Sequence, residues 1–117
     1  MAYEMPNIDG LMSGAGRVRK SGYEIMWGVG RHGPGSNVFS YFVEPNGFVT
    51  EYTTEVEQVG DNYVGHDAAW WTAQNVFPCR WNMAAPPTKF ARKAMSGELY
   101  EEENQRCEQV MAKALGR

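Results

Sequence analysis

The sequence predicts an α+β protein built on one βαβββ unit, and its residue patterns carry that prediction. A glycine-bearing amphipathic stretch follows a short N-terminal segment, and two aromatic, β-branched runs flank Glu44-Pro45-Asn46-Gly47. A strand-like run ending in glycines lies between them. At 117 residues, 43% apolar and 21% charged, the chain has the composition of one globular domain with one small core.

Met1 to Met5 reads as the remains of a strand. In NIDGLMSGAGRVRKSG, Ile8, Leu11, Met12, Ala15 and Val18 fall on one helical stripe, with Asn7 or Asp9 as N-cap and Gly22 past the end. Gly10, Gly14 and Gly16 each cost about 1 kcal/mol relative to alanine, so this helix needs a broad partner, most simply a sheet. YEIMWGVG, from Tyr23, predicts a strand running into a glycine-rich loop, and NVFSYFV and FVTEYTTEV predict two more strands.

Pro45 at the first central position, Asn46 at the second and Gly47 where a left-handed residue is required predict a type I turn with a glycine bulge. Pairing Glu44 with Phe48 then sets Val43 opposite Val49, Tyr41 opposite Glu51 and Phe39 opposite Thr53. A phenol and a carboxylate would lie side by side, their Cβ atoms about 5 Å apart. Phe42, Phe48 and Tyr52 would face the helix.

The unit spans residues 1–59. Residues 60–87, rich in Trp, Gly and Pro, read as a wrapping or lid segment, because Trp70, Trp71, Phe77 and Trp81 are costly to leave in water. Residues 88–117 read as a helical tail, with helices from Thr88 to Met95 and from Glu98 to about Leu115. The second carries Glu98, Glu101, Glu102 and Glu103 early and Lys113 late, as the helix dipole favours, with Cys107, Val110, Met111 and Ala114 as a seam that needs a partner.

A formal net charge of -3, with no basic stripe beyond Arg17, Arg19 and Lys20, argues against nucleic acid as a partner. Cys79 and Cys107 lack CxxC spacing and no signal peptide precedes the helix, which predicts a reduced, cytoplasmic protein. No apolar run approaches the roughly 20 residues of a membrane span.

On spacing alone, Glu51 is an ordinary strand carboxylate, since a metal site needs three or four convergent ligands. His32 and His66, the two histidines, have no partner at ligand spacing. His32, Tyr41 and Glu51 could nonetheless converge on one face and supply ligand, hydrogen-bond donor and proton-handling group.

The stretch WGVGRHGPGSNVFSYFVEPNGFVTEYTTE, with its GRHG turn, Asn37, Tyr41, EPNG turn and Glu51-Tyr52, resembles the last module of extradiol ring-cleaving dioxygenases, in the vicinal oxygen chelate superfamily that also holds glyoxalases and bleomycin-resistance proteins. A weaker similarity runs from Pro6 to Gly22 and through HDAAWW to about Pro87. The resemblance implies a non-haem Fe(II) or Mn(II) held by two His and one Glu, the Glu corresponding to Glu51. It implies Tyr41 as donor to the metal-bound substrate oxygen, His32 as the histidine of the turn, and Arg31 and Asn37 as supports, Asn37 also lying at the substrate. His66, Trp70 and Trp71 would be a lid over the substrate or the packing of an extended tail, the commoner role.

The departures set the functional expectation. One family His would fall immediately before Met1 and the other comes from a preceding module, so this chain alone is expected to bind no metal. Modules normally pair, and a lone unit is expected to leave a concave face uncovered, exposing Tyr41 and Glu51, to be closed by a second copy or by the chain's own helices. The expected function is a catalytically incomplete relative of catechol-cleaving dioxygenases that binds a small aromatic ligand as a homodimer. The alternatives are an active dioxygenase component whose histidines come from a partner chain, and a structural dimerisation module.

Overall fold

The computed structural model describes residues 1–116, and residues 102–104 by backbone alone. Strand β1 (Ala2–Glu4), helix α1 (Ile8–Lys20) and strands β2 (Ile25–Arg31), β3 (Val38–Val43) and β4 (Val49–Thr54) form the expected βαβββ order. Helices α2 (Ala68–Gln74), α3 (Lys89–Met95) and α4 (Glu98–Ala114) follow. The sheet order is β1-β4-β3-β2, with β1 parallel to β4 and the other pairs antiparallel. Among the described residues, no helix is long and apolar enough to cross a membrane.

Asn7 is the N-cap of α1, its side chain accepting from the Gly10 N–H at 2.7 Å, and Gly22 follows the end with φ +94°. The stripe that α1 buries is narrower than its sequence suggests. Leu11, Gly14 and Ala15 are buried, whereas Met12 is 49% exposed. Gly14 explains the offset: a Cβ there would lie 3.0 Å from the Tyr52 ring, so the missing side chain lets α1 sit directly on β4.

The turn closes as expected, with Gly47 at φ +86° donating to the Glu44 carbonyl at 2.9 Å and the Glu44 N–H donating to Phe48 at 2.8 Å. The ladder pairs Val43 with Val49, Tyr41 with Glu51 and Phe39 with Thr53. Phe42 and Tyr52 face α1's side of the sheet and meet edge to face at 5.1 Å. Phe48 departs from expectation: it lies outside the strand and stacks on Tyr100 of α4 at 4.2 Å. Strand β2 runs through its glycines to Arg31, with register shifts between Ile25 and Trp27 and between Gly28 and Gly30.

Of the two closures expected for the concave face, the chain's own C-terminal part supplies one. Phe39 packs with Cys79 and Ala84 against Trp27 and Tyr41, and Met26 packs with Ala91 and Ala94 against Tyr41, Val43, Val49 and Leu99. The chain folds its own C-terminal part over the sheet. Small side chains make that approach close: a Cβ on Gly30 would lie 2.8 Å from the Cys79 sulfur and 3.0 Å from the Ala84 Cβ. The large residues expected to be buried are not the anchors, since Trp70 is 39%, Phe77 71% and Trp81 42% exposed. The segment also contains α2, capped by Asp67, which its sequence did not announce.

Thr88 caps α3 through the Ala91 N–H at 3.1 Å. In α4, Glu98 and Glu101 occupy the first turn and Lys113 the last; the side chains of Glu102 and Glu103 lie outside the described residues. The Cys107, Val110, Met111 and Ala114 seam is exposed throughout.

Replacing Gly14 with valine is expected to destabilise the fold by about 1–3 kcal/mol in urea unfolding, because the added carbons drive into the Tyr52 ring. An unchanged midpoint would mean that α1 does not dock through this residue.

Candidate functional site

Three short segments build the site. Strand β3 contributes Phe39 and Tyr41, β4 contributes Glu51 and Thr53 directly opposite them, and the loop after β2 contributes His32 and Asn37. That loop is closed by the His32 N–H donating to the Asn37 carbonyl at 2.9 Å. The Arg31 guanidinium fastens it further, donating to the Ser36 carbonyl and pairing with Glu55.

The loop carries the His32 ring flat onto Phe39, with centroids 3.9 Å apart and planes 14° apart. From there His32 Nε2 lies 3.0 Å from the Tyr41 hydroxyl and 3.8 Å from Glu51 Oε1. Asn37 Nδ2 donates to Thr53 Oγ1 at 2.7 Å and lies 3.5 Å from Glu51 Oε1. Thr53 in turn donates to the Val38 carbonyl at 2.9 Å, so its hydroxyl is used as both acceptor and donor. Trp27 stacks on Tyr41 at 5.1 Å and meets Phe39 at a 47° tilt at 4.6 Å, closing the aromatic side.

The side chains of His32 and Glu51 are only 21% and 17% exposed. Burial first, and then the neighbouring Glu51 carboxylate, push the Tyr41 phenol well above its ordinary value, so it stays protonated at neutral pH. One hydrogen arrangement serves the cluster: the phenol turns its proton toward Glu51, and the His32 Nε2–H donates to the phenol oxygen.

The structure therefore brings His32, Asn37, Tyr41 and Glu51 together, with Asn37 committed to Thr53 and Glu51. Arg31 supports the turn. His66 lies flat on Trp70 at 3.6 Å, and neither lines the cavity of about 280 Å³ that His32 shares with Pro34, Trp71, Val76, Phe77 and Pro78. Of the three residues read as a lid, Trp71 is the one beside His32. Trp27 and Thr53 were missed from sequence. Thr53 had a signal, two positions from Glu51 on the same strand face; Trp27 had none, because the register shift after Ile25 decides where it points.

Among the described residues, no group of three His, Cys, Asp or Glu side chains could hold a metal ion. Glu51 and His32 are the donors at hand, and His32 Nε2 is engaged by Tyr41. The position facing Glu51 across β1 is Ala2, which has no donor atom on its side chain. This donor set does not fit Fe(II) or Mn(II).

No protein-family model matches the chain. Over 58 residues, 50% of the chain, it is 34% identical to metapyrocatechase 2 of Cupriavidus necator, covering 18% of that protein. The crystal structure of the Mn(II)-bound glyoxalase from Novosphingobium aromaticivorans matches 76% of the chain with a TM-score of 0.60 and 38% identity, over 29% of the glyoxalase chain. The chain thus spans less than a third of either relative.

Absorbance titration at 295 nm is expected to show one tyrosine ionising above the ordinary range, moved partway back by Glu51→Gln, since burial remains. Because folding raises this phenol, its contribution to stability is complete below the ordinary tyrosine value near 10 and is lost as pH rises beyond it. A Glu51→Gln titration identical to wild type would remove the carboxylate from the cluster. Asn37→Leu, which removes one donor from the buried Thr53 hydroxyl and from Glu51, is expected to cost about 1–3 kcal/mol in urea unfolding.

Proposed function

Because the chain belongs to the vicinal oxygen chelate superfamily as a single βαβββ module, we propose that it binds a small catechol-like aromatic at the Tyr41, His32 and Glu51 cluster and is catalytically incomplete by itself. The observation that carries this reading is the Tyr41 hydroxyl held between an imidazole and a carboxylate beside an aromatic wall. A dihydroxy-aromatic ring offers matching chemistry. Its hydroxyl donates to Glu51, its oxygen accepts from Tyr41, and the His32 Nε2–H continues to donate to the phenol oxygen. The catechol named in metapyrocatechase supports this ligand class, as does the identity to that protein.

Incompleteness rests on the donor count. Among the described residues, one hydrogen-bonded carboxylate, Glu51, and one engaged imidazole, His32, fall short of a site for a metal of the kind in the Mn(II)-bound glyoxalase. A second reading, in which a partner chain supplies histidines, is favoured by one feature. Strand β1 is a sheet edge, and Ala2 on it faces Glu51, so a second polypeptide can approach along that edge. The proposed assembly is a homodimer, supported by Val110, Met111 and Leu115, left 62%, 60% and 58% exposed on or just past α4.

Titration with 4-nitrocatechol tests the ligand. Wild type is expected to perturb its spectrum, and Glu51→Gln to weaken binding by about tenfold. Electron paramagnetic resonance of added Mn(II) tests the donor count: free ion is expected with wild type, and a larger bound fraction with Ala2→His. A wild-type chain that holds one Mn(II) and cleaves catechol would overturn incompleteness. Light scattering that reads the mass of one chain at micromolar concentration would overturn the homodimer.

A further inference from the structure

The strap formed by residues 78–85 is tied to the sheet at two places, and both lie beside the candidate site. At one end, the Arg31 N–H donates to the Cys79 sulfur at 3.2 Å and the Arg80 N–H donates to the Arg31 carbonyl at 2.9 Å, next in sequence to His32. The Arg80 guanidinium also donates to Ser36 at 2.8 Å, and Arg31 lies over Trp81 at 4.9 Å. At the other end, the Trp27 indole Nε1–H donates to the Ala85 carbonyl at 2.9 Å.

The same Trp27 ring is the stacking surface of Tyr41, with centroids 5.1 Å and planes 21° apart, and its edge meets His32 at 5.4 Å. One side chain thus touches the strap, the phenol and the imidazole. The indole N–H finds its acceptor on a main-chain carbonyl 58 residues away, which ties the placement of the ring to that of the strap. Between the two ties, Cys79 and Ala84 press on Phe39, the residue beneath the His32 ring.

We propose that Trp27 is a positioning residue that locks the 78–85 strap and the His32–Tyr41 pair into one unit, so that lifting the strap disorders the phenol and ligand binding tightens the strap. The second half rests on the reading of this cluster as a ligand site. The coupling is reciprocal: whatever loosens the strap weakens the ligand by the factor with which the ligand holds the strap down.

Two substitutions separate the contacts. Trp27→Phe keeps an aromatic ring for Tyr41 and removes the donor to Ala85; Trp27→Leu removes both. In the ligand-free protein, Trp27→Phe is expected to speed amide hydrogen exchange at residues 79–85 by about fivefold, with the Glu44 and Glu51 amides of the hairpin unchanged. In titrations with 4-nitrocatechol, Trp27→Phe is expected to bind a few-fold more weakly than wild type. Trp27→Leu should lose about a further tenfold, so that the phenyl ring partly rescues binding.

Strap exchange in Trp27→Phe equal to wild type, or accelerated equally in the hairpin, would overturn the lock. Faster strap exchange with wild-type nitrocatechol affinity in both variants would overturn the coupling to the site. If wild type itself binds no nitrocatechol, the proposed function falls, and the ligand-free exchange alone decides the lock.

Discussion

Tyr41 lies opposite Glu51, and every other contact of the candidate site depends on that pairing. Side chains alternate along a strand with period two, so a slip of one residue in either strand would turn that strand over and leave Tyr41 and Glu51 on opposite faces of the sheet. The turn prevents the slip. Gly47, at φ +86°, takes the left-handed position that a side chain resists, and fixes Glu44 against Phe48. The register then places a mostly buried carboxylate where it needs donors. Asn37 Nδ2 lies 3.5 Å and His32 Nε2 3.8 Å from Glu51 Oε1, and the Tyr41 hydroxyl also meets the carboxylate. The loop from His32 to Asn37 is shaped to deliver those donors, which is why Arg31 is tied to both Ser36 and Glu55.

The second constraint is how a single module covers a face that would otherwise be wet. Helix α3 and the strap do so with small residues: Ala84, Ala91, Ala94 and Cys79 are all nearly inaccessible. Small side chains allow the backbone to approach the sheet closely, and Gly30 removes the last obstacle beneath the strap. The geometry has an electrostatic consequence. Burial pushes the Cys79 thiol up, yet the backbone N–H groups of Arg31, Ala84, Met83 and Trp81 outweigh it and hold the thiol below its ordinary value. The strap is therefore fastened by main-chain polarity as well as by packing.

This division explains what could be read from the residues. The hairpin was legible to the residue pair, because turn chemistry and strand alternation are local signals. From it followed the shared face of Tyr41 and Glu51; for α1 the residues narrowed the cap to Asn7 or Asp9, and Thr88 was read as the start of α3, which it caps. Closure of the concave face by the chain's own helices was one of two readings, but the residues that make it were not legible, because they are alanines and a cysteine, which carry no periodic signal. Hydrophobicity pointed instead to Trp70, Phe77 and Trp81, which a domain this small leaves partly at the surface. Phe48 failed for a related reason: its partner, Tyr100, is 52 residues away on α4, and no local pattern links the two.

The chain is similar both to a metapyrocatechase and to a glyoxalase, so the similarity by itself decides no chemistry. What decides it is which donors each face presents. In this chain the hydrogen-bonding half is dense: a phenol, an imidazole, an amide and a carboxylate lie within a few ångströms, each oriented by a neighbour on the same sheet. The metal-donor half is sparse, with Ala2 at the position facing Glu51. A carboxylate so placed has no need of a cation to be satisfied, because Asn37, Tyr41 and His32 already surround it. Exchange of these hydrogen bonds with a hydroxylated ligand is the chemistry on which the proposed function rests.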